Sequence, residues 1–395
     1  MSAKKPLRIT VVAGEESGDL LGADLVAALA RKTGRDVVLT GVGGRNLRSL
    51  GLVSLFDADE IALMGISAVL RDLPRLWRRI GQTARTVVSE KPDCLVTIDS
   101  PEFGLRVARK VRAADPSIPI VHYVCPSVWA WRPGRAAQMR PHVDHVLCLL
   151  PFEPAELERL GGPAGSYVGH RLNADENILA AAHEQLTRKE KPSPSRKTLL
   201  VLPGSRRGEV QRLIEPFGKA VAELHGAGHR FDVLLPTVPH VASIVEKATE
   251  DWAVRPEIIL EPERKWRAFA GADAALACSG TVALELALAR VPFISCYKTD
   301  PLARMLISMI TVWSASLPNL IAGWPVVPEY FDQFVRPSYL ARQIGQLWED
   351  TPMRAAQREG FAQVAAALAT PKPSGELAAD AVLATIHQGK RKAAR

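Results

Sequence analysis

Cysteine is scarce in this 395-residue chain: there are five, at positions 94, 125, 148, 278 and 296, and no two form a CxxC pair. An odd number at wide spacings excludes a disulfide framework and a cysteine zinc site, and fits a reducing compartment. Nor is a secretory leader expected in the N-terminal stretch. After Lys4, Lys5 and Arg8 the apolar run lasts only about six residues before Gly14 and Glu15, so it reads as a first strand. No G-K-S/T follows any glycine loop, which excludes a Walker A site. Neither the Gly14, Gly18, Gly22 series nor Gly-Val-Gly-Gly at 41–44 keeps GxGxxG spacing. Asp57-Ala58-Asp59 and His142-Val143-Asp144-His145 supply too few ligands at suitable spacing, so both read as structural and no metal or other cofactor is expected. Charge is absent from 305–327, which is long enough to cross a bilayer. Pro318, Asn319, Gly323 and Pro325 break it, so a buried or membrane-touching segment is expected rather than a span.

What is present is globular in balance, with 47% hydrophobic and 23% charged residues. The length favours two domains. A net charge of +8 points to an acidic partner, whether nucleic acid, anionic lipid or a phosphorylated metabolite. Short β-branched runs alternate with amphipathic stretches: RITVVAG before LLGADLVAALARKTG, CLVTIDS before FGLRVARKVRAAD, then IPIVHYVCP and HVLCLL. The pattern restarts with TLLVLPG, FDVLLPT, EIILEP, ADAALACSG and PFISCYK. This predicts an α/β fold of two doubly wound Rossmann-like domains facing a cleft. The expected boundaries are 1–183, a polar proline-bearing linker at 184–197, a second domain at 198–340, and closing helices at 341–395 that can return to the first domain. The basic end HQGKRKAAR is expected to be mobile.

In such sheets ligands bind beyond the carboxyl ends of the strands. LPGSRRGEV there offers Gly204, Ser205, Arg206 and Arg207 at a helix start, an arrangement that suits an anion and equally describes an ordinary turn. CSGTVALEL repeats the device with Ser279, Gly280 and Thr281, and Glu285 lies one place late for a capping box. A carboxylate at that position could instead accept from a ribose diol, so the pair of loops suits a nucleoside diphosphate. AGEESGD sets Glu15, Ser17 and Asp19 in a glycine loop fit for sugar hydroxyls or for capping. Asp99 ends a strand and is a candidate general base, or a cap for the next helix. Ser127, Trp129, Trp131 and Arg132 in PSVWAWRPGR suit sugar rings or phosphates, against a core role for the indoles. Over 61–85, Ile66, Val69, Leu70, Leu73, Leu76, Trp77 and Ile80 alternate at helical spacing with Arg71, Arg75, Arg78, Arg79 and Arg85. That is the composition of a membrane-surface helix, with an ordinary packed helix as the alternative.

AGEESGD, TIDSPEF, HYVCPSVWAWRPGR, LLPFEP, YVGH, VLPGSR, CSGTVALEL and SLPNLIAGWPVVPE, in this order from residue 13 to 329, resemble the lipid-A-disaccharide synthase family. The resemblance implies a GT-B fold with an N-terminal domain facing acceptor and membrane and a C-terminal domain binding UDP-sugar. It implies an inverting, metal-free transfer from UDP-2,3-diacylglucosamine to 2,3-diacylglucosamine 1-phosphate, giving the β(1→6) disaccharide 1-phosphate and UDP. By motif, Asp99 becomes the base on the acceptor 6-hydroxyl, Arg206 the group that stabilises departing UDP, Asn319 a companion at that site, and Glu285 the ribose holder. Glu15, Ser17, Asp19, Ser127, Trp129, Trp131 and Arg132 would serve acceptor and sugar. Val69, Leu73, Arg75, Leu76, Trp77, Arg78 and Arg79 would touch the inner leaflet of a cytoplasmic, peripherally bound enzyme, monomeric or homodimeric, without nucleic acid. Glu16, Gly104, Arg171 and Trp324 depart from the family's usual residues. Another GT-B enzyme on UDP-GlcNAc, a transferase or 2-epimerase, and a non-catalytic nucleotide-sugar or nucleic-acid binder are the rival readings.

Overall fold

The structure, a computed structural model, describes residues 5–61, 73–188, 196–300 and 309–393. In chain order the first part runs β1 (Leu7–Ala13), α1 (Glu16–Thr33), β2 (Val37–Val42), α2 (Arg45–Ser49), α3 (Leu73–Glu90), β3 (Cys94–Ile98), α4 (Pro101–Ala114), β4 (Ile120–Tyr123), α5 (Gly134–Met139), β5 (His145–Cys148), α6 (Glu153–Arg159) and β6 (Ala164–Tyr167). Then follow α7 (Glu176–Arg188), β7 (Lys197–Leu202), α8 (Arg207–Gly226), β8 (Phe231–Pro236), α9 (Pro239–Thr249), β9 (Glu257–Ile259), α10 (Pro262–Gly271), β10 (Ala274–Cys278), α11 (Thr281–Leu288) and β11 (Phe293–Tyr297). The last elements are α12 (Leu317–Ala322), β12 (Glu329–Phe331), α13 (Pro337–Trp348), α14 (Pro352–Leu368) and α15 (Ser374–Ala393). Contacts divide them into two units, residues 1–171 with 370–395, and residues 172–369.

The first unit is built on a six-stranded sheet in the order β2-β1-β3-β4-β5-β6, parallel throughout. β1 is buried almost end to end, as a strand covered on both faces must be. Its period-2 geometry sends Leu7, Ile9, Val11 and Ala13 to one core, which α1 and α15 cover, and Val12 to the other, under α3 and α4. Pairing of Ala13 with Ile98 sets the ends of β1 and β3 side by side. The chain leaves β1 for β2 on one side and later returns to β3 on the other, so this is where the strand order reverses.

The second unit repeats the plan in the order β12-β11-β10-β7-β8-β9, again parallel. Leu199 and Val201 face the α8 and α13 side with Leu213, Phe217, Leu340 and Ile344. Leu200 and Leu202 face Phe269, Leu286 and Phe361. Here the order reverses between β7 and β10.

The expected organisation differs in several places, first because residues 172–183, expected in the first domain, fall in the second unit. Part of the expected linker, 184–188, is the last turn of α7, where buried Gln185 holds its amide nitrogen within 3.0 Å of the Phe269, Ala270 and Ala272 carbonyl oxygens. Residues 189–195 lie outside the described residues. Of the closing helices only α15 joins the first unit; α13 and α14 remain in the second. The basic end is helical to Ala393, because α15 buries Ala378, Ala379, Val382 and Ile386 and Lys390 reaches Asp93 at 2.9 Å.

Candidate functional site

In the second unit a cavity of about 570 Å³ opens at the reversal between β7 and β10, beyond their carboxyl ends. Gly204 follows β7 with φ +116, and a Cβ there would meet Glu209 Cβ at 2.6 Å, so only glycine allows the turn. Arg206 caps α8: its backbone N–H donates to Glu209 Oε2 at 3.2 Å and its guanidinium to Oε1 at 3.2 Å. The Arg206 side chain stays 69% exposed, so it can still turn to a ligand. Ser205 is exposed beside it, its carbonyl accepting from His240 Nε2 at 2.8 Å. On the β10 side, Ser279, Gly280 and Thr281 start α11, and Glu285 lies one turn in, as its spacing predicts. Lys265 Nζ donates to Glu285 at 2.6 Å while lying 4.4 Å over the Trp266 ring.

Asn319 is placed otherwise than expected. It is 1% exposed, its Nδ2 donates to the Val327 carbonyl at 3.0 Å and to Glu329 at 3.1 Å, and its Oδ1 accepts from Val327 N–H at 2.7 Å. Its hydrogen-bonding groups are therefore committed to scaffold. Glu329 also accepts from Ser314 Oγ at 2.5 Å and Ala315 N–H at 3.0 Å, and the Ala315 carbonyl accepts from Ser279 Oγ at 3.1 Å. Asn319 thus braces the segment whose Ala315 carbonyl holds Ser279, a residue of the cavity lining. Reading the sequence missed Thr237, His240, Lys265, Trp266 and Glu329. The first two follow FDVLLP and the next two follow EIILEP, so the rule of strand carboxyl ends could have found them.

In the first unit Asp99 and Ser100 sit at the reversal between β1 and β3, both left-handed at φ +50 and +41. Such consecutive strain in non-glycine residues persists where the surroundings enforce it and is concentrated at working sites. Burial pushes the Asp99 carboxyl above the usual carboxylate range, opposed by the Ser100 backbone N–H. Were it to serve as a general base, such a carboxyl would be better matched to neutral pH. A second cavity of about 620 Å³ lies beside Gly14, lined by Glu15, Glu16, Arg45, Asn46 and Asp59. Asp19 also lines this cavity but is 2% exposed, and its carboxylate accepts from the backbone of Gly44 (2.6 Å), Asn46 (2.7 Å) and Leu47 (3.3 Å). It anchors the start of α2 from the wall of that cavity. Glu15 caps α1, and Ser17 is exposed in its first turn.

Trp129 is anchored: Nε1 donates to Glu153 at 3.1 Å and its ring meets Phe152 edge-on at 5.1 Å. Ser127 is exposed and turns the chain, its carbonyl accepting from Ala130 and Trp131. Arg132 lies 4.3 Å over Trp131 and 3.7 Å from Glu102. The proposed membrane stripe is reduced. Ile66, Val69, Leu70 and Arg71 lie outside the described residues, as does the side chain of Leu73. Leu76 and Ile80 are core, which corrects Leu76 as a contact. Arg75 and Arg79 bind Glu60 at 2.9 and 2.7 Å, and Arg79 lies over Phe56. Trp77 stays 53% exposed, flanked by Arg106 and Lys110, and Arg78 is exposed. Among the described residues no helix is long and apolar enough to cross a membrane.

Solved structures share the fold. Neisseria meningitidis UDP-GlcNAc 2-epimerase bound to UDP-GlcNAc matches with TM-score 0.59 at 13% identity, over 97% of this chain and all of that one. Acinetobacter baumannii MurG matches with TM-score 0.56 at 13% identity, over 98% and 100%. Such identities speak for the fold alone. Sequence relatives are much nearer. A lipid-A-disaccharide synthase of Rhodopseudomonas palustris (strain HaA2) is 47% identical over 96% of this chain and 97% of its own. One of Bradyrhizobium diazoefficiens is 45% identical over 99% and 100%. A family profile described as lipid-A-disaccharide synthetase matches residues 9–373, nearly the whole described chain, and with those relatives it makes this chain a member of the lipid-A-disaccharide synthetase family.

Proposed function

We propose that the protein condenses UDP-2,3-diacylglucosamine with 2,3-diacylglucosamine 1-phosphate, inverting the anomeric carbon to give the β(1→6)-linked disaccharide 1-phosphate and UDP. The observation that carries this reading is the cavity at the β7/β10 reversal, where two strand-to-helix turns, the exposed Arg206 and the carboxylate of Glu285 converge in a family member. The diphosphate is held by the Gly204–Arg206 turn and by the Ser279–Thr281 turn, where backbone N–H groups and hydroxyls meet the anion. Arg206 stabilises charge as it gathers on the departing UDP, and such preorganised donors are usually the largest single contribution. Glu285 takes the ribose hydroxyls. In the first unit, Asp99 removes the proton from the acceptor 6-hydroxyl, with Glu15, Ser17, Trp131 and Arg132 serving the sugar and phosphate. Trp77, Arg78, Arg106 and Lys110 offer an aromatic and basic face to the anionic inner leaflet, so the enzyme works as a peripheral protein on the cytoplasmic side. Its oligomeric state is monomer or homodimer.

The test is to incubate the protein with both acylated glucosamine substrates and follow disaccharide and UDP. Equal release of both is expected. Conversion of UDP-GlcNAc to its 2-epimer, or nucleotide binding with no disaccharide, would overturn the reading.

A further inference from the structure

Glu153 opens α6 directly after Leu-Leu-Pro-Phe and is 3% exposed. A buried carboxylate needs strong partners. This one accepts at Oε2 from the Leu149 and Leu150 N–H groups, both at 3.0 Å, and at Oε1 from Trp129 Nε1 at 3.1 Å. The first two donors belong to the loop after β5 and the third to the loop after β4. The carboxylate therefore ties two strand-end loops together, and Phe152 closes on the Trp129 ring as a second latch.

The loop it holds is strained at both ends, with Val124 at φ +74 and Arg132 at φ +53. Left-handed valine is costly and survives only where neighbours over-determine it. Beyond Trp129 the same loop presents Arg132 and then Arg135 at the start of α5, and both meet Glu102. Glu102 stands in the first turn of α4, three residues after Asp99. A path thus runs from Glu153 to Trp129, along the loop backbone to Arg132 and Arg135, and through their contacts with Glu102 to the strained turn of Asp99.

Cys125 and Cys148 lie beside Glu153, their sulfurs and one of its carboxylate oxygens within 4.8 Å of one another. Such a trio could hold a soft metal, but here both Glu153 oxygens already accept N–H bonds. The groups facing it are the Cys125 and Cys148 thiols and the Tyr167 phenol. Burial pushes Glu153 up to about 7, opposed by the N–H groups of Leu150, Trp129 and Leu149.

We infer that Glu153 is a positioning residue for the acceptor side of the reaction, acting through Trp129 to fix the Ser127–Arg132 loop against the turn of Asp99. The inference rests on the proposed transfer but fails separately from it. If the unaltered protein makes no disaccharide, the proposed function falls; if it does, variants decide on Glu153.

Glu153→Gln can keep its carbonyl on the Leu149 and Leu150 amides, but its NH2 then faces the indole N–H, donor against donor. The acceptor KM should rise about tenfold, the size expected for losing a hydrogen bond to a charged acceptor, while UDP affinity by calorimetry holds. Trp129→Phe removes the clashing donor, so adding it to Glu153→Gln should recover part of the loss instead of adding to it. The acid side of the acceptor kcat/KM profile should move to lower pH in Glu153→Gln, since the group titrating near neutrality is gone. A lower Tm with unchanged acceptor KM and unchanged pH profile would make Glu153 merely structural. Additive losses in the double variant would also overturn the inference.

Discussion

Lys265 holds Glu285 at 2.6 Å while its own charge lies over Trp266 and Phe269, at 4.4 and 5.5 Å. The pair fixes the Glu285 rotamer and would make its carboxylate tolerable beside the proposed diphosphate. Lys265→Met should therefore weaken UDP binding about tenfold by calorimetry, the cost of stranding a charged acceptor; unchanged affinity would show that Glu285 stands unaided. Asp99 carries a second residue-scale prediction. A base must be ionised, so turnover falls as pH drops through its pKa, and burial shifts that fall upward from the range of a free carboxylate. Asp99→Asn should remove most turnover and leave UDP affinity intact; near-normal rates in the variant would dismiss Asp99 as base. At this scale the sequence was legible in position: Asp99 and Ser279 directly follow strands, and Arg206 and Glu285 stand at the helix starts beyond them. It did not show that Asp19 holds Gly44, Asn46 and Leu47, or that Asn319 holds Val327 and Glu329. A polar residue in a glycine or proline loop looks the same whether it faces ligand or caps a distant backbone.

The turns after β7 and β10 do the positioning work for elements. Gly204→Ala forces a Cβ into Glu209 at a φ of +116 that alanine resists, so it should cost about 1–3 kcal/mol and displace Arg206. Thermal unfolding and UDP titration would both report it, and an unaltered UDP affinity would mean the turn does not set the anion site. Buried strands such as β1, β3, β7 and β10 stood out as apolar runs because both faces are covered. β6, half-buried with the sequence AGSY, and β12, only three residues of EYF, carry no such run and emerge only from pairing with β5 and β11. The amphipathic stretch over 61–85 shows the limit of periodicity: it located α3 but not that Leu76 points inward and that Glu60 engages Arg75 and Arg79.

Each unit has its own cores, so the two halves of the molecule can be perturbed apart. Ile386→Ala should lower the stability of the first unit by about 2–5 kcal/mol, since α15 closes one face of its sheet. UDP at a hundred times its Kd should raise the second unit by about 2.7 kcal/mol and leave the Ile386 defect uncorrected, which limited proteolysis of each unit would distinguish. Rescue of the Ile386 variant by UDP would mean that the units unfold together. The two-domain plan was visible in the restart of the strand pattern, but the return of α15 alone was not, because its apolar stripe has no address until a sheet face is left uncovered. That return also orders events on the ribosome. Residues 172–369 are contiguous and can complete their cores as they emerge, whereas β1 waits for a helix made last. At ordinary elongation rates the intervening roughly 200 residues take about 10–40 s, during which the α15 face of the first sheet stays open and within reach of chaperones.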